Sequence, residues 1–195
     1  MESPVVFDPD GDLYLEVGEE ADGTPQTYLV CSKALSRASV VFRKMLYGGF
    51  AESRPTGGQK AWLVRLPEDD QKPFELMLSI IHLCFDKVPE RLELKPLFCF
   101  LVLADRYDAT AIARPWAKKW LEAVKSAKSD PILLGVAYEL GDTETFTMMA
   151  NKILEDCFID GDGDVVFGST SDSNSAHPYK LRDLPCLAPP DLTGE

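Results

Sequence analysis

The stretch YLVCSKALSRASVVFRKML, residues 28–46, begins with the residue pattern of a β-strand and ends with that of a helix. Two short polar breaks, CSK and SRAS, interrupt its apolar residues. Serine is a favoured residue at the start of a helix, so we expect Ser32 to cap a short helical turn and Ser39 to cap a second helix over residues 40–47. The stretch therefore predicts one strand followed by two short helices that run at different angles.

Segments with strand patterns lie on both sides of this stretch, and helical patterns follow. Residues 12–17, DLYLEV, alternate apolar and polar side chains, which is typical of a half-buried strand. Residues 27–31 are expected to return beside them after a turn, and residues 61–66 supply a third strand. The rest of the chain is mainly helical, and Asp130 and Gly141 are expected to begin and end one of these helices. This order predicts an α+β fold with a small sheet of three or more strands flanking a helical cluster.

The charge of the chain argues against a role at nucleic acids or membrane surfaces. Its 195 residues carry a formal net charge of −12, and no Lys or Arg precedes Lys33. Such a balance repels the phosphate groups of nucleic acids and of anionic lipids. The longest apolar runs, residues 76–85 and 97–104, are about half as long as a membrane-spanning helix requires. We therefore expect neither a nucleic acid nor a membrane as a partner.

The cysteines are better explained by packing than by chemistry. Five cysteines at irregular spacing favour reduced thiols, and the first residues lack the pattern of a secretory signal, so we expect a cytoplasmic or nuclear location. Cys31 could act as a nucleophile only with a base beside it, and the chain has only His82 and His177. His82 lies in an apolar helical segment and His177 in a polar tail. We therefore expect Cys31 to pack, and we expect no catalytic residue.

No segment has the residues and spacing of a familiar metal or cofactor site. The loops at residues 8–12, DPDGD, and 160–164, DGDGD, are acidic, but neither has the glycine at position six that an EF-hand loop needs. His82, Cys84 and Cys99 lack a fourth zinc ligand at a workable spacing. No glycine-rich loop with a lysine precedes a helix, as a phosphate site of that type would require. We expect no metal and no cofactor.

Several segments together resemble a BTB/POZ domain over residues 8–125. They are DLYLEV, the opening stretch, GGFAES, VRLPEDD followed by FELMLSIIH, and LFCFLVLADRYDA. The most specific piece is the pattern LxxxSxxFxxML at residues 35–46. The sequence departs from the family where Cys31 and Ser32 stand in place of a His followed by a basic residue. Metazoan members often pair that basic residue with the Asp matched here by Asp12, so we do not transfer their corepressor binding.

The resemblance and the composition together divide the chain into three parts. Residues 8–125 are identified as the BTB/POZ domain, and residues 130–158 as a two-helix extension similar to that of short fungal members. Residues 159–195 are rich in Asp, Gly, Ser and Pro and are expected to be an acidic, mostly extended or disordered tail. Within the tail, residues 164–168, DVVFG, are expected to form a short edge strand.

The resemblance implies a non-catalytic protein–protein interaction module. BTB/POZ domains dimerise and recruit partners, many as adaptors for cullin-3 ubiquitin ligases and others in transcriptional regulation. We therefore expect a homodimer that recruits a protein partner, with cullin-3 bound through the helices between residues 42 and 85. Residues 12–17 are expected to form an outer strand whose unpaired edge associates with a second copy by two-fold symmetry.

The candidate contact surface combines this strand with the two short helices. Its residues are Leu13, Leu15, Val17, Leu35, Val40, Phe42, Met45, Leu46 and Tyr47. Burial within the protomer would explain most of them equally well. Three alternatives stay open: a transcription-associated oligomerisation module, a small enzyme that uses Cys31 or Cys84, and a monomeric scaffold whose sheet edge is covered by its own N-terminus or tail.

Overall fold

A computed structural model describes residues 3–55, 61–167 and 179–180. The fold is mixed α+β, as the order of elements in the sequence predicts. The strands are β1 (Val5–Val6), β2 (Leu13–Val17), β3 (Gln26–Val30), β4 (Leu63–Leu66), β5 (Cys157–Ile159), β6 (Val165–Phe167) and β7 (Tyr179–Lys180). The helices are α1 (Ser32–Ala38), α2 (Val40–Tyr47), α3 (Gln71–Ile81), α4 (Leu94–Arg106), α5 (Ala117–Val124), α6 (Ile132–Leu140) and α7 (Thr143–Asp156), with 3₁₀ turns at Phe85–Lys87 and Thr110–Ala113.

The first of two compact units consists of Met1–Pro89 and Leu103–Ile112, and the second of Glu90–Val102 and Ala113–Glu195. The first unit contains a four-stranded sheet in the order β1-β3-β2-β4. β2 pairs antiparallel with β3 and parallel with β4. β3, α1 and α2 lie between β2 and β4 in the chain and supply the long connection that parallel strands need. β2 is therefore an interior strand. The prediction that residues 12–17 form an outer strand with an unpaired edge is wrong.

The inner face of this sheet carries alternate residues of each strand and forms the core of the first unit. These side chains are buried on β2 and its neighbours: Leu13, Leu15, Val17, Tyr28, Val30 and Val64. Aromatic rings from the helices cover them. Phe42 of α2 stacks on Tyr107 with ring centroids 4.3 Å apart and meets the ring of Phe74 edge-on at 6.4 Å. Core packing therefore accounts for the apolar alternation seen in the sequence.

Ser39 caps α2, as predicted. Its hydroxyl oxygen accepts a hydrogen bond from the backbone N–H of Phe42 at 2.9 Å. The same hydroxyl donates to the backbone carbonyl of Tyr107, and the serine is buried. Ser39 therefore both starts the helix and ties it to the chain that follows α4.

Ser32 has a different role from the one predicted. It is the first residue of α1, which continues to Ala38 and is thus longer than a single turn. Cys31 occupies the N-cap position without a side-chain hydrogen bond. The hydroxyl of Ser32 donates to the carboxylate of Asp12 at 2.8 Å, a charged and hence stronger acceptor that only the folded chain places there.

The second unit contains helices and a small antiparallel sheet. Trp120 of α5 is fully buried, stacks on Trp116 and meets the ring of Phe100 edge-on with centroids 5.5 Å apart. Gly141 ends α6 in the left-handed conformation, with φ 72°, as the sequence predicts. Asp142 then caps α7 by accepting a hydrogen bond from the backbone N–H of Thr145 at 2.8 Å. The sharp connection between these two helices thus follows from two adjacent residues.

Part of the predicted tail belongs to the sheet of the second unit. The strand expected at residues 164–168 is present over Val165–Phe167, but it lies between β5 and β7 and is a central strand rather than an edge strand. Residues 159–167 therefore belong to a β-hairpin, in contrast to the extended or disordered chain expected from their composition. The rest of the predicted tail, residues 168–178 and 181–195, lies outside the described residues.

Candidate interaction surface

The predicted contact residues fall into a buried group and an exposed group. Six of them are fully buried in the first unit: Leu13, Leu15, Val17, Leu35, Phe42 and Leu46. These side chains pack into the core, which is the alternative that the sequence left open, and they offer no surface to a partner. Val40 and Tyr47 are 37% and 36% exposed, and Met45 is half-buried. Of the predicted residues, only Val40, Met45 and Tyr47 are therefore accessible to a partner.

Other apolar side chains of the first unit are exposed. They are Val6, Phe50, Leu63, Leu83 and Phe85. Their residue types predict burial, so sequence reasoning missed them. For Leu63 a signal was present, because the segment LVRL places it on the same face of β4 as Arg65.

Four apolar side chains form a continuous row across the outer face of the four-stranded sheet. Leu29 lies opposite both Val6 and Tyr14, and Tyr14 lies opposite Leu63. Val6 and Leu63 are 46% and 44% exposed, and the two inner members are half-buried. This outer apolar row crosses all four strands on the side away from the core.

The C-terminal end of α3 also presents apolar side chains to solvent. Leu83 is 71% exposed and has a φ of 61°, and Phe85 is 52% exposed. The left-handed conformation costs a leucine about 1–2 kcal/mol, and an exposed side chain does not recover this cost by burial. A hydrogen bond of 2.8 Å from the backbone N–H of Cys84 to the carbonyl of Ser79 holds the turn in place. The turn therefore keeps a strained leucine in solvent.

α1 and α2 present a basic surface. Residues 32–47 contain four basic residues and no acidic one, although the whole chain has a net charge of −12. Lys33 Nζ of α1 lies 3.9 Å from the centre of the Tyr47 ring of α2, so the exposed sides of the two helices adjoin. Along α2 the exposed residues recur at helical spacing. We call this surface the basic helical face, and its residues are Lys33, Arg37, Val40, Arg43, Lys44 and Tyr47.

The carboxylate of Asp12 is used within the fold. It accepts one hydrogen bond from the backbone N–H of Ser32 at 2.9 Å and another from the Ser32 hydroxyl at 2.8 Å. The Ser32 hydroxyl also lies 2.5 Å from the hydroxyl of Tyr47, and Ser32 is fully buried. Asp12, which matches the aspartate that metazoan BTB/POZ members pair with a basic residue, therefore bonds Ser32 in this chain.

Cys31 and His82 lie close together, but not as a nucleophile and its base. The backbone N–H of Cys31 donates to His82 Nε2 at 3.0 Å, which leaves the ring proton on Nδ1, 3.0 Å from the carbonyl of Leu78. Burial lowers the pKa of His82 and so favours this neutral ring. Both ring nitrogens are engaged by backbone groups, and neither is directed at the Cys31 thiol.

Asp69 is a buried carboxylate that the sequence did not single out. It is 4% exposed and accepts hydrogen bonds from Arg106 Nη1 and from the hydroxyl of Tyr107. Burial raises the pKa of Tyr107, and the negative charge of Asp69 raises it further. The cluster joins the start of α3 to the end of α4 and is structural. In the sequence Asp69 resembled an ordinary acidic residue of a first helical turn.

The acidic loop at residues 160–164 holds a lysine side chain. Lys180 Nζ lies 2.7 Å from the carboxylate of Asp164 and 3.7 Å from that of Asp160. Asp160 also accepts hydrogen bonds from the backbone N–H groups of Asp162 and Asp164, each at 2.9 Å, which organises the turn. Across residues 3–55, 61–167 and 179–180, His, Cys, Asp and Glu form no group of three with the arrangement of a metal site.

In the part of the chain that the structure describes, no helix combines the length and the apolar composition that crossing a membrane requires. A scan against models of known protein families finds no match to this chain, and a search of curated proteins finds none either. Function must therefore be inferred from the surfaces of the chain itself.

Proposed function

We propose that the chain is a non-catalytic protein–protein interaction module with the BTB/POZ fold, which self-associates and recruits a partner protein. Cullin-3 is the candidate partner. Contacts between the segments that resemble the family support this proposal. Ser39, from the most specific pattern, donates to the carbonyl of Tyr107, from the ADRYD segment, and Phe42 stacks on the same tyrosine. Residues of two separate motifs thus depend on each other in one core.

The exposed end of α3 is the observation that carries the proposal of partner recruitment. Leu83 and Phe85 lie at the end of the region, residues 42–85, in which the partner is expected to bind. Backbone strain at an exposed leucine lowers the stability of the free chain and is typical of functional sites. Burial of such side chains under a partner would contribute about 1.5–3 kcal/mol each. Burial under a partner would thus offset the free-energy cost of the strained backbone at Leu83.

Self-association is proposed through the outer apolar row. The edge of residues 12–17 is no longer a candidate, because β2 is paired on both sides. A two-fold contact between two outer faces would bury the same row in each copy. Beside the row, Arg65 Nε lies 2.8 Å from Glu16 Oε1, so the neighbouring positions are polar and form a rim.

The contacts of His82 support the non-catalytic part of the proposal. Because both ring nitrogens of His82 bind backbone groups, His82 does not act as a base for the Cys31 thiol in this arrangement. We expect slow labelling of Cys31 by a thiol reagent near neutral pH, measured by mass spectrometry of labelled peptides. Rapid labelling of Cys31 would contradict the proposal and favour a cysteine-dependent enzyme.

Capture of purified cullin-3 on the immobilised chain tests the partner. We expect Leu83→Asn to weaken capture about tenfold, since a central apolar contact in an interface contributes 1 kcal/mol or more. Asparagine accepts a positive φ, so the turn is retained. Leu154→Asn on α7 is the matched control, because Leu154 is also 71% exposed, and it should not alter capture.

Two results would contradict this part of the proposal. Equal weakening by Leu83→Asn and Leu154→Asn would show that the end of α3 is not the contact. No capture of cullin-3 by an excess of the unmodified chain would exclude cullin-3 as the partner and leave the interaction module itself in place.

Light scattering of the chain over a range of concentrations tests self-association. We expect a dimer that Leu63→Lys converts to a monomer, since each copy would then bring an unpaired charge into the apolar contact. Leu154→Lys introduces the same charge at another exposed leucine and should leave the dimer intact. A monomer at the highest concentration of the unmodified chain would contradict the proposal.

A further inference from the structure

We propose that the basic helical face binds an acidic segment of a partner protein, one that also carries an apolar or aromatic residue. This inference rests on the proposed function, in that the chain recruits a protein, and it names the chemistry of that protein. It uses residues other than those at the end of α3 and in the outer apolar row.

The positive charges of this face are not neutralised within residues 3–55, 61–167 and 179–180. In that part of the chain, four exposed bases of the face form no ion pair: Lys33, Arg37, Arg43 and Lys44. Asp12, which contacts the start of α1, is already bonded to the backbone N–H and the hydroxyl of Ser32. A chain with a net charge of −12 therefore concentrates unpaired positive charge on one pair of helices.

Aromatic and apolar groups lie among these charges. Tyr47 is partly exposed, and its ring meets that of Trp62 edge-on with centroids 6.0 Å apart. Lys33 Nζ lies 3.9 Å from the centre of the Tyr47 ring. The guanidinium of Arg54 lies 5.9 Å from the centre of the Trp62 ring. Such ring contacts hold the two cations in place and leave their N–H groups as donors. The surface thus offers cationic donors together with an apolar side chain at each end of α2, Val40 at its start and Tyr47 at its end.

Charge complementarity selects the occupant. A two-fold contact of this face with the same face of a second copy does not fit, because it would place four positive charges against four. A nucleic acid would meet the repulsion of the remaining, strongly acidic chain. An acidic peptide satisfies both features of the surface, since its carboxylates form charge-assisted hydrogen bonds with Arg and Lys and its apolar residues can contact Val40 and Tyr47.

Fluorescence anisotropy of the full chain with a labelled synthetic peptide tests the inference. The peptide consists of Glu and Asp around one Leu and one Phe. We expect saturable binding that weakens as salt is added. The double variant Arg43→Gln, Lys44→Gln should weaken it about fivefold to tenfold, because each exposed charge pair contributes modestly.

A matched control uses the adjacent exposed bases Lys118 and Lys119. They lie on α5, which has eight residues like α2, and Lys118→Gln, Lys119→Gln changes the net charge by the same amount. This control should bind the peptide as the unmodified chain does. Thermal unfolding followed by circular dichroism should show that both double variants are folded, as expected for exposed positions.

Several outcomes would overturn the inference. They are no binding of the peptide, equal binding of its Gln and Asn counterpart, equal weakening by both double variants, and tighter binding of an oligothymidylate than of the peptide. A chain that binds the peptide and captures no cullin-3 contradicts only that partner. A chain that captures cullin-3 and does not bind the peptide overturns only the assignment of the basic helical face.

Discussion

The inside and the outside of the first unit use the same residue types in opposite ways. Inside, leucines fill a core with the aromatic rings, and no described buried polar side chain lacks a hydrogen-bond partner. Outside, Leu63 and Leu83 are exposed, and the bases of α1 and α2 are unpaired among the described residues. The inner groups therefore determine stability, and the outer groups are available for binding.

Two leucines on adjacent strands provide the largest contrast. Leu15 is fully buried on the inner face, whereas Leu63 is 44% exposed on the outer face. We expect Leu15→Ala to lower the free energy of unfolding by about 2–5 kcal/mol through lost burial and a cavity. At concentrations where the chain is monomeric, Leu63→Ala should change it by no more than about 0.5 kcal/mol. Urea denaturation measures both, and similar losses would break the comparison.

The buried carboxylate of Asp69 is expected to contribute to stability through its hydrogen bond with Tyr107. Asp69→Ala leaves the hydroxyl of Tyr107 without an acceptor in the core, whereas Arg106 is 53% exposed and can be solvated by water. We expect a loss of about 2 kcal/mol in the free energy of unfolding. Combined with Tyr107→Phe, the loss should be smaller than the sum of the two single changes, because the two groups share one interaction. Additive losses would contradict the coupling.

Two serines within residues 28–46 also differ in that one is buried and the other exposed. Ser39 is buried and caps α2, whereas the hydroxyl of Ser36 donates to the carbonyl of Lys33 at an exposed position. We expect Ser39→Ala to lower the free energy of unfolding by about 1–2 kcal/mol. Ser36→Ala should leave it nearly unchanged or raise it slightly, since alanine favours helix. An equal effect of the two substitutions in chemical denaturation would contradict the capping role.

His82 makes the free energy of unfolding depend on pH. Burial lowers its pKa below the ordinary value of 6.5, so the unfolded chain binds the proton before the folded chain as the pH falls. The contribution of His82 to stability is therefore complete above the unfolded pKa and decreases as the pH falls through it, by at most about 1.4 kcal/mol per pH unit.

Replacement of His82 by glutamine separates this effect from other titrations. Glutamine can still accept a hydrogen bond from the backbone N–H of Cys31, but it does not titrate. Denaturation at about pH 7.5 and about pH 5.5 should show a larger decrease for the unmodified chain than for His82→Gln. A decrease of the same size in both proteins would remove His82 as the cause.

The smallest expected effect is a gain. Leu83 has a positive φ and a side chain in solvent, so Leu83→Asn should raise the free energy of unfolding by about 0.5 kcal/mol. The same substitution is expected to weaken capture of the partner. It should therefore make the free chain more stable and, at the same time, a poorer binder. A loss of stability on this substitution would show that Leu83 contributes to the core despite its exposure.

Local signals in the sequence predicted several parts of the fold correctly. Alternation identified the strand at residues 12–17, and β-branched and aromatic residues identified the strand at residues 27–31. Ser39 and Gly141 marked helix ends because a hydroxyl acceptor and a positive φ act within a few residues of the chain. The contact surface was predicted less well, because apolar residue types indicate burial in a protomer and burial at an interface alike.

The sequence by itself determined the mixed α+β class, the start of α2 at Ser39, the end of α6 at Gly141, and the positive charge of residues 32–47. Only the tertiary structure decided that β2 is an interior strand, that Ser32 bonds Asp12 and that Leu63 and Leu83 face solvent. The physical reason is the range of the interactions. Caps and alternation depend on neighbours in the chain, whereas strand order and exposure depend on pairing between segments that the sequence places far apart.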